Sequence, residues 1–214
     1  MRLKLIACKA LFRELSYVAA LSDNMIDITW LRQGYHAEPE LLHTLLQREI
    51  DAFENGEDPH SYQIRPRRPG DDPKDFDAIL LGYGLCSNAV AGLRAKSHRL
   101  VIPRAHDCIT LFLGSKERYA SCFRNIPGCY WYTVSWIENG GVPGKERQER
   151  MRKRYAAMDY DEETIEYLLE ATDGLKNYRN AAFVKMPFGD NARCSAMTRE
   201  SAAYFGWDYH ELDM

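Results

Sequence analysis

Three cysteines and one histidine stand where a parallel sheet would gather them into one site. Cys8 follows the first predicted strand and Cys86 follows the third. His106 and Cys108 both follow the fourth. Ligands of open parallel sheets bind in the crevice at the carboxyl ends of the strands. If strands one, three and four are neighbours, about 4.8 Å apart, their loops bring these four side chains together.

Sulfur and imidazole ligands of this kind suit a soft or borderline metal. Three sulfurs and one imidazole form a tetrahedral zinc set, and a labile fourth ligand leaves a catalytic position open. An iron–sulfur cluster is the alternative. Each cysteine precedes or opens a predicted helix, whose N-terminus is expected to lower the thiol pKa. The competing interpretation makes Cys8 and Cys86 buried strand-end thiols, with His106 in a hydrogen-bond network.

The other cysteines have weaker claims to ligand roles. Cys194 follows the sixth predicted strand and is a reserve ligand. Cys122 and Cys129 flank a Pro-Gly pair and are assigned to packing.

A glycine turn follows the third predicted strand. Gly82, Tyr83 and Gly84 allow a tight turn and a close backbone approach to a cofactor. Asp107 comes at the next strand end, where an acidic ribose ligand would stand. A complete dinucleotide fingerprint needs a third glycine where Ser87 stands, so nucleotide binding is a secondary hypothesis.

Two further functions remain open beside metal binding. A non-catalytic module could hold a small molecule or cofactor between the glycine turn and the aromatic stretch 130–136, although such stretches more often fill the two faces of a strand. A metal-free thiol enzyme could pair Cys86 or Cys108 with His106.

Strands that alternate with helices predict an α/β fold with a mainly parallel, doubly wound sheet, and a flavodoxin-like order 2-1-3-4-5 would fit. The predicted strands are 3–7, 26–31, 77–81, 100–103, 130–137, 181–186 and 207–212. The predicted helices are 9–21, 89–95, 109–113, 116–123, 145–154, 161–171 and 191–204. A further predicted helix, after the second strand, has Pro39 in its first turn. We expect one domain over 1–214, with a helical insertion at 143–175 and a surface connector at 57–75.

Composition narrows the classes of partner. The net charge is −3 and the pI about 6.1, which gives no electrostatic footprint for nucleic acid. The sequence contains no apolar run of the roughly 20 residues that a membrane span needs. The N-terminal segment is too short in apolar residues for a secretory signal, so we expect a cytoplasmic protein whose six cysteines are thiols or ligands rather than disulfides.

Four segments together resemble the prokaryotic family named domain of unknown function 1638. They are Leu5-Ile6-Ala7-Cys8, Leu81-Gly82-Tyr83-Gly84-Leu85-Cys86-Ser87-Asn88, Ile102-Pro103-Arg104-Ala105-His106-Asp107-Cys108 and Pro127-Gly128-Cys129-Tyr130-Trp131. Family members usually have glycine at the position of Ser87. Because members are often encoded near corrinoid-dependent methyltransferases, the resemblance implies an accessory role in methyl-group or corrinoid metabolism, with those methyltransferases as partners.

Overall fold

The computed structural model describes residues 1–57, 76–86, 88–172 and 174–214. Nearly all of the predicted connector at 57–75 lies outside the described residues. The chain forms two compact units, Met1–Lys116 and Glu117–Met214. Each unit has its own parallel sheet. The single domain over 1–214 stays a prediction.

The first unit is built on four parallel strands in the order β2-β1-β3-β4. The strands are β1 (Arg2–Cys8), β2 (Met25–Leu31), β3 (Ala78–Gly82) and β4 (Arg99–Val101). The helices are α1 (Phe12–Leu21), α2 (Pro39–Glu54) and α3 (Cys108–Leu113), and a 3-10 turn at Lys9–Leu11 joins β1 to α1. This order makes strands one, three and four neighbours, as the predicted site requires.

The core of the first unit lies between the sheet and α2. Short, continuously apolar strands are typical of parallel sheets, and β1 is buried over most of its length. The buried cluster combines residues of the sheet and of α2: Ile6, Leu31, Ile79, Leu81, Leu42, Leu46, Ile50 and Phe53. Pro39 opens α2, where the absence of an N–H costs nothing. The opposite helix, α1, is less buried than its pattern predicts, and Val18 is 60% exposed.

The second unit has three parallel strands in the order β5-β6-β7. They are β5 (Cys129–Tyr132), β6 (Asn180–Lys185) and β7 (Asp208–Asp213). Its helices are α4 (Lys116–Asn125), α5 (Val134–Gly140), α6 (Lys145–Ala156), α7 (Glu162–Thr172) and α8 (Asn191–Phe205). The helices α6 and α7 pack on each other. Along the chain they lie between β5 and β6, where the insertion at 143–175 is predicted.

The α/β fold with parallel sheets is confirmed, but three local predictions are wrong. The fifth strand pairs with β6 in a separate sheet instead of extending the order 2-1-3-4. That strand also ends at Tyr132, because the Thr133 side chain accepts a hydrogen bond from Trp136 N at 3.2 Å and starts α5. Residues 89–92 form turns and 93–95 are irregular, rather than a helix, since Asn88 and Gly92 have positive φ angles of 66° and 82°.

None of the helices in the described part of the chain combines the length and the apolar character needed to cross a bilayer.

Candidate functional site

The loops that carry the predicted site residues leave the first sheet at its carboxyl edge. Ala7 of β1 pairs with Gly82 of β3, so Cys8 and the glycine turn leave the sheet side by side. Leu85 N then donates to Ala105 O at 2.9 Å and to His106 O at 3.1 Å. The loop after β3 is thereby attached to the loop after β4. The helix α3, which begins at Cys108, also contacts the turn that follows Cys8.

The glycine turn has a packing reason within the protein itself. A Cβ atom on Gly82 would lie 2.6 Å from the Cβ of Ala7 and 2.8 Å from Leu15 Cδ1. A Cβ on Gly84 would lie 2.7–2.8 Å from the backbone of Asp107. Both glycines therefore let other parts of the chain approach closely. A cofactor-binding role for Gly82, Tyr83, Gly84 and Asp107 stays a prediction, and close packing alone accounts for the two glycines.

Asp107 serves as the N-cap of α3. Its Oδ1 accepts hydrogen bonds from Ile109 N at 3.0 Å and from Thr110 N at 3.2 Å. These bonds satisfy two of the backbone donors that every helix start leaves free. The carboxylate thus holds the first turn of α3, and with it the position of Cys108.

Three thiols form the centre of the candidate site. Cys8 and Cys86 pack against the same core cluster. Cys108 lies within electrostatic range of both, with Cys86 the stronger neighbour. All six cysteines of the chain are free, and these three are partly buried. The strand order therefore places the three cysteines at the same edge of the first sheet, and their role as ligands stays a prediction.

The pKa values of the three thiols are raised, the reverse of the sequence-based expectation. Burial raises the pKa of Cys8 and outweighs the hydrogen bond that its Sγ accepts from Ala10 N at 3.5 Å. Burial, then the neighbouring Cys8, raises the pKa of Cys86 to about 11. Burial, followed by Cys86, also raises the pKa of Cys108 well above its ordinary value. The described residues that follow Cys86 form turns rather than a helix, and at Cys8 and Cys108 burial outweighs any effect of the helix start, because desolvation disfavours the thiolates.

Cys86 has an unusual backbone conformation. Its φ angle is +45°, in the left-handed region that non-glycine residues rarely adopt. Asn88 is also left-handed. Such conformations cost of order 1 kcal/mol or more and cluster at functional sites. Here the conformation belongs to the residue that leads the chain out of the glycine turn.

His106 lies at the surface of the first unit, and a ligand role for it stays a prediction. Its side chain is 76% exposed, and Nδ1 lies 3.3 Å from Asp107 Oδ2. Among the described residues, no group of three or more His, Cys, Asp or Glu side chains is arranged to hold a metal ion. The thiols are thus neighbours without ligating geometry.

The other cysteines lie in the second unit. Cys194, the reserve ligand, is buried in that unit's core. Cys129 is buried in β5, and Cys122 is partly buried in α4. The aromatic stretch also packs internally, since Tyr130 lies 5.0 Å from Tyr132 and 6.1 Å from Trp207 between ring centroids. This packing supports the simpler interpretation, in which the stretch fills a core.

Two polar groups at the same edge could not be found from sequence. The Tyr83 hydroxyl and Gln33 Oε1 are buried without a hydrogen-bond partner among the described residues. Tyr83 follows β3 and Gln33 follows β2. Residue type alone does not reveal whether a tyrosine or glutamine finds a partner, so no sequence signal marks either group.

The fold and the site define an α/β protein with parallel sheets and three thiols at the carboxyl edge of one of them. The chain belongs to the DUF1638 family of proteins of unknown function, whose family model matches residues 30–214. That match includes Cys86, His106 and Cys108, whereas Cys8 precedes it. No curated protein and no solved structure matches the chain.

Proposed function

We propose that the first unit binds a metal ion, zinc first, through the thiolates of Cys8, Cys86 and Cys108. The observation that carries this proposal is the position of three partly buried thiols at three adjacent strand ends. Each thiolate would repel the others in a poorly solvated site. A divalent cation removes that repulsion, because it replaces the protons and compensates the negative charge.

Three thiolates would give a zinc ion three protein ligands and one exchangeable position. Three protein ligands plus an exogenous fourth is the arrangement of catalytic zinc sites, whereas structural zinc sites use four protein ligands. Binding requires the cysteine side chains to turn toward one another, since their present geometry is not that of ligands. An iron–sulfur cluster and a corrinoid contact are the alternatives for the same thiols.

His106 is left out of the proposed ligand set because its side chain points to solvent. The side chain of His106 is 76% exposed, whereas the three thiols are partly buried. The fourth position therefore goes to water or to a bound small molecule.

The metal-free thiol enzyme is the less favoured alternative. A pKa of about 11 leaves Cys86 only about one part in a thousand ionised at pH 8. A nucleophilic cysteine needs the opposite shift. Alkylation by iodoacetamide tests this alternative: rapid modification of Cys86 or Cys108 at neutral pH would favour a reactive thiol over a metal site.

Metal content of protein purified without oxygen tests the proposal. We expect about one zinc per chain in the wild type and a near-complete loss in Cys86→Ser. The matched control is Cys194→Ser, which removes a buried thiol of the second unit and should leave metal content unchanged. His106→Ala should also retain the metal. Wild-type protein that contains no zinc or iron and takes up neither when supplied would contradict the proposal.

The accessory role in corrinoid-dependent methyl transfer stays a prediction drawn from the family resemblance, as do the corrinoid methyltransferases as partners. A metal held by three thiolates with an exchangeable fourth ligand could act as a Lewis acid toward a small molecule. A small-molecule module without metal would behave differently, because its ligand binding should survive both Cys86→Ser and His106→Ala.

A further inference from the structure

The helices α6 and α7 of the second unit present opposite charges to solvent. Arg150, Lys153 and Arg154 of α6 are exposed, and so are Glu163 and Glu166 of α7. Residues three and four positions apart share one face of a helix. The three basic residues therefore lie on one side of α6, which we call the basic face.

The acidic face of α7 consists of Glu163, Glu166 and Tyr167 and repeats the same spacing of three and four positions. Tyr167 is 70% exposed, and Met158 and Tyr160, in the turn between the two helices, are 55% and 43% exposed. Large exposed side chains among charges are typical of a surface that binds another protein, and tyrosine is enriched in such interfaces.

The contacts that hold the two helices in the unit lie on other sides of them. Ile165 and Leu169 are buried on the side of α7 away from Glu163. On α6, Arg152 Nη2 lies 2.5 Å from Glu166 Oε1 and joins the two helices. Neither Glu163 nor any residue of the basic face forms an ion pair within the described part of the chain. These charges are therefore available to a partner.

The partner that fits both faces at once is a second copy of this chain. In a contact with two-fold symmetry, residue i of one copy meets residue j of the other, and j meets i. A two-fold axis that runs along the helix pair places α6 of each copy on α7 of the other. The basic face then meets the acidic face twice, and an arginine comes within reach of the Tyr167 ring, on which guanidinium groups stack.

We propose that the α6–α7 pair is a dimerisation surface, on which the basic face of each copy pairs with the acidic face of the other. The surface is small, because the 12 residues of α6 extend over only about 18 Å. Exposed ion pairs each contribute little and are screened by salt. We therefore expect a weak dimer that forms as the protein concentration rises and dissociates as salt is added. This proposal does not depend on the metal site.

Charge reversal on each face tests the proposal by sedimentation velocity over a range of protein concentrations. The first variant combines Arg150→Glu with Arg154→Glu, and the second is Glu163→Lys. Each alone should weaken dimerisation about tenfold or more, because like charges then meet at two symmetric contacts. An equal mixture of the two variants should form a heterodimer, since the reversed faces complement each other.

The matched control is Arg124→Glu, which reverses an exposed charge of α4 in the same unit and should dimerise like the wild type. A wild type that stays monomeric at every concentration would overturn the proposal, and the two faces would then belong to solvent or to another protein. A dimer that neither variant weakens would also overturn it, because the contact would lie elsewhere. Variants that remain monomeric when mixed would mean that the basic and acidic faces do not meet.

Discussion

Two buried tyrosines at strand ends differ in the hydrogen bonding of their hydroxyl groups, one in each sheet. Tyr132 closes β5 and is fully buried, and its hydroxyl is paired with Ser201 Oγ, which in turn donates to Pro143 O at 2.7 Å. Tyr83 directly follows β3 and is almost as deeply buried, but its hydroxyl has no partner among the described residues. The same residue type in the same structural position is satisfied in one unit and unsatisfied in the other.

Polar groups elsewhere in the second sheet are also paired with one another. Ser195 Oγ lies 2.8 Å from Tyr209 Oη, and both hydroxyls donate to Glu211 Oε2, at 2.8 and 2.7 Å respectively. Lys185 Nζ lies 2.5 Å from the other oxygen of Glu211. This network holds α8 and two strands together. The two sheets therefore differ in how far their polar groups are paired among the described residues.

The largest effect is expected at the contact between the two loops of the first edge. In Gly84→Ala the new methyl group would lie 2.7–2.8 Å from the Asp107 backbone, which cannot move without shifting α3. Overpacking of this kind costs about 3 kcal/mol, and it should also displace Cys108 and abolish metal binding. Urea unfolding measures the loss of stability, and hydrogen exchange assigns it to the first unit.

A glycine in open space provides the control for that substitution. Gly141 of the second unit has a φ of +74° and nothing within 4 Å of the position of a Cβ atom. Gly141→Ala should therefore cost only about 1 kcal/mol, from backbone strain alone. Equal losses for the two variants would mean that the close approach of Gly84 and Asp107 is not a rigid feature of the site.

A smaller loss of stability is expected from a substitution of Glu54, a carboxylate of the first unit that accepts several hydrogen bonds. Its side chain is 3% exposed and accepts from Lys96 N at 2.6 Å, Ser97 N at 2.7 Å and His98 N at 3.0 Å. Burial alone would raise the pKa of Glu54, but the hydrogen bonds from Lys96, Ser97 and His98 outweigh it and lower the pKa to about 2. Glu54→Gln should cost about 2 kcal/mol at pH 7.

The sign of the pH dependence follows from that lowered pKa. The stabilisation by Glu54 is fully present above the ordinary glutamate pKa of 4.5 and disappears as the pH falls toward 2. Urea midpoints measured from pH 6 to pH 2 should therefore fall more steeply in the wild type than in Glu54→Gln. Parallel curves would contradict this assignment.

Glu211 is the counterpart in the second unit. Its pKa is also lowered to about 2, first by Lys185 and then by the Tyr209 and Ser195 hydroxyls. The side chain is 25% exposed, so solvent screens these interactions. Glu211→Gln should lower the free energy of unfolding by less than about 1 kcal/mol. Glu54 would then contribute more to stability than Glu211. Urea unfolding of both variants at pH 7 measures the difference.

Sequence patterns were sufficient for the parts of the site that depend on order along the chain. Alternating strands and helices predicted neighbouring parallel strands, and this order is what brings Cys8, Cys86 and Cys108 to one edge. Pro39 marked the start of α2, because proline acts on the local backbone.

Features that depend on tertiary surroundings could not be predicted in the same way. The raised pKa values reflect burial and mutual repulsion, which sequence spacing does not contain. His106 faces solvent although it stands two residues from Cys108. The fifth strand lies in a second sheet. This pairing could not be predicted, because strand pairing depends on contacts between residues that are far apart in the sequence. Whether the Tyr83 hydroxyl finds a partner depends on every group that surrounds it.

The smallest expected effect tests the opening contrast directly, in metal-free protein. Tyr132→Phe removes one of the two hydrogen bonds of Ser201 Oγ, which keeps its bond to Pro143 O, so thermal unfolding should show a loss of about 1 kcal/mol. Tyr83→Phe removes a hydroxyl that is buried without an acceptor among the described residues, so it should be neutral or stabilise the metal-free protein by up to about 1 kcal/mol. The two variants make the same chemical change, and opposite signs would show that the hydroxyls differ in their surroundings. In the presence of a chelator, Tyr83→Phe could instead be as destabilising as Tyr132→Phe. The Tyr83 hydroxyl would then have a hydrogen-bond partner within the metal-free protein, as the Tyr132 hydroxyl does, and the contrast between the two sheets would disappear.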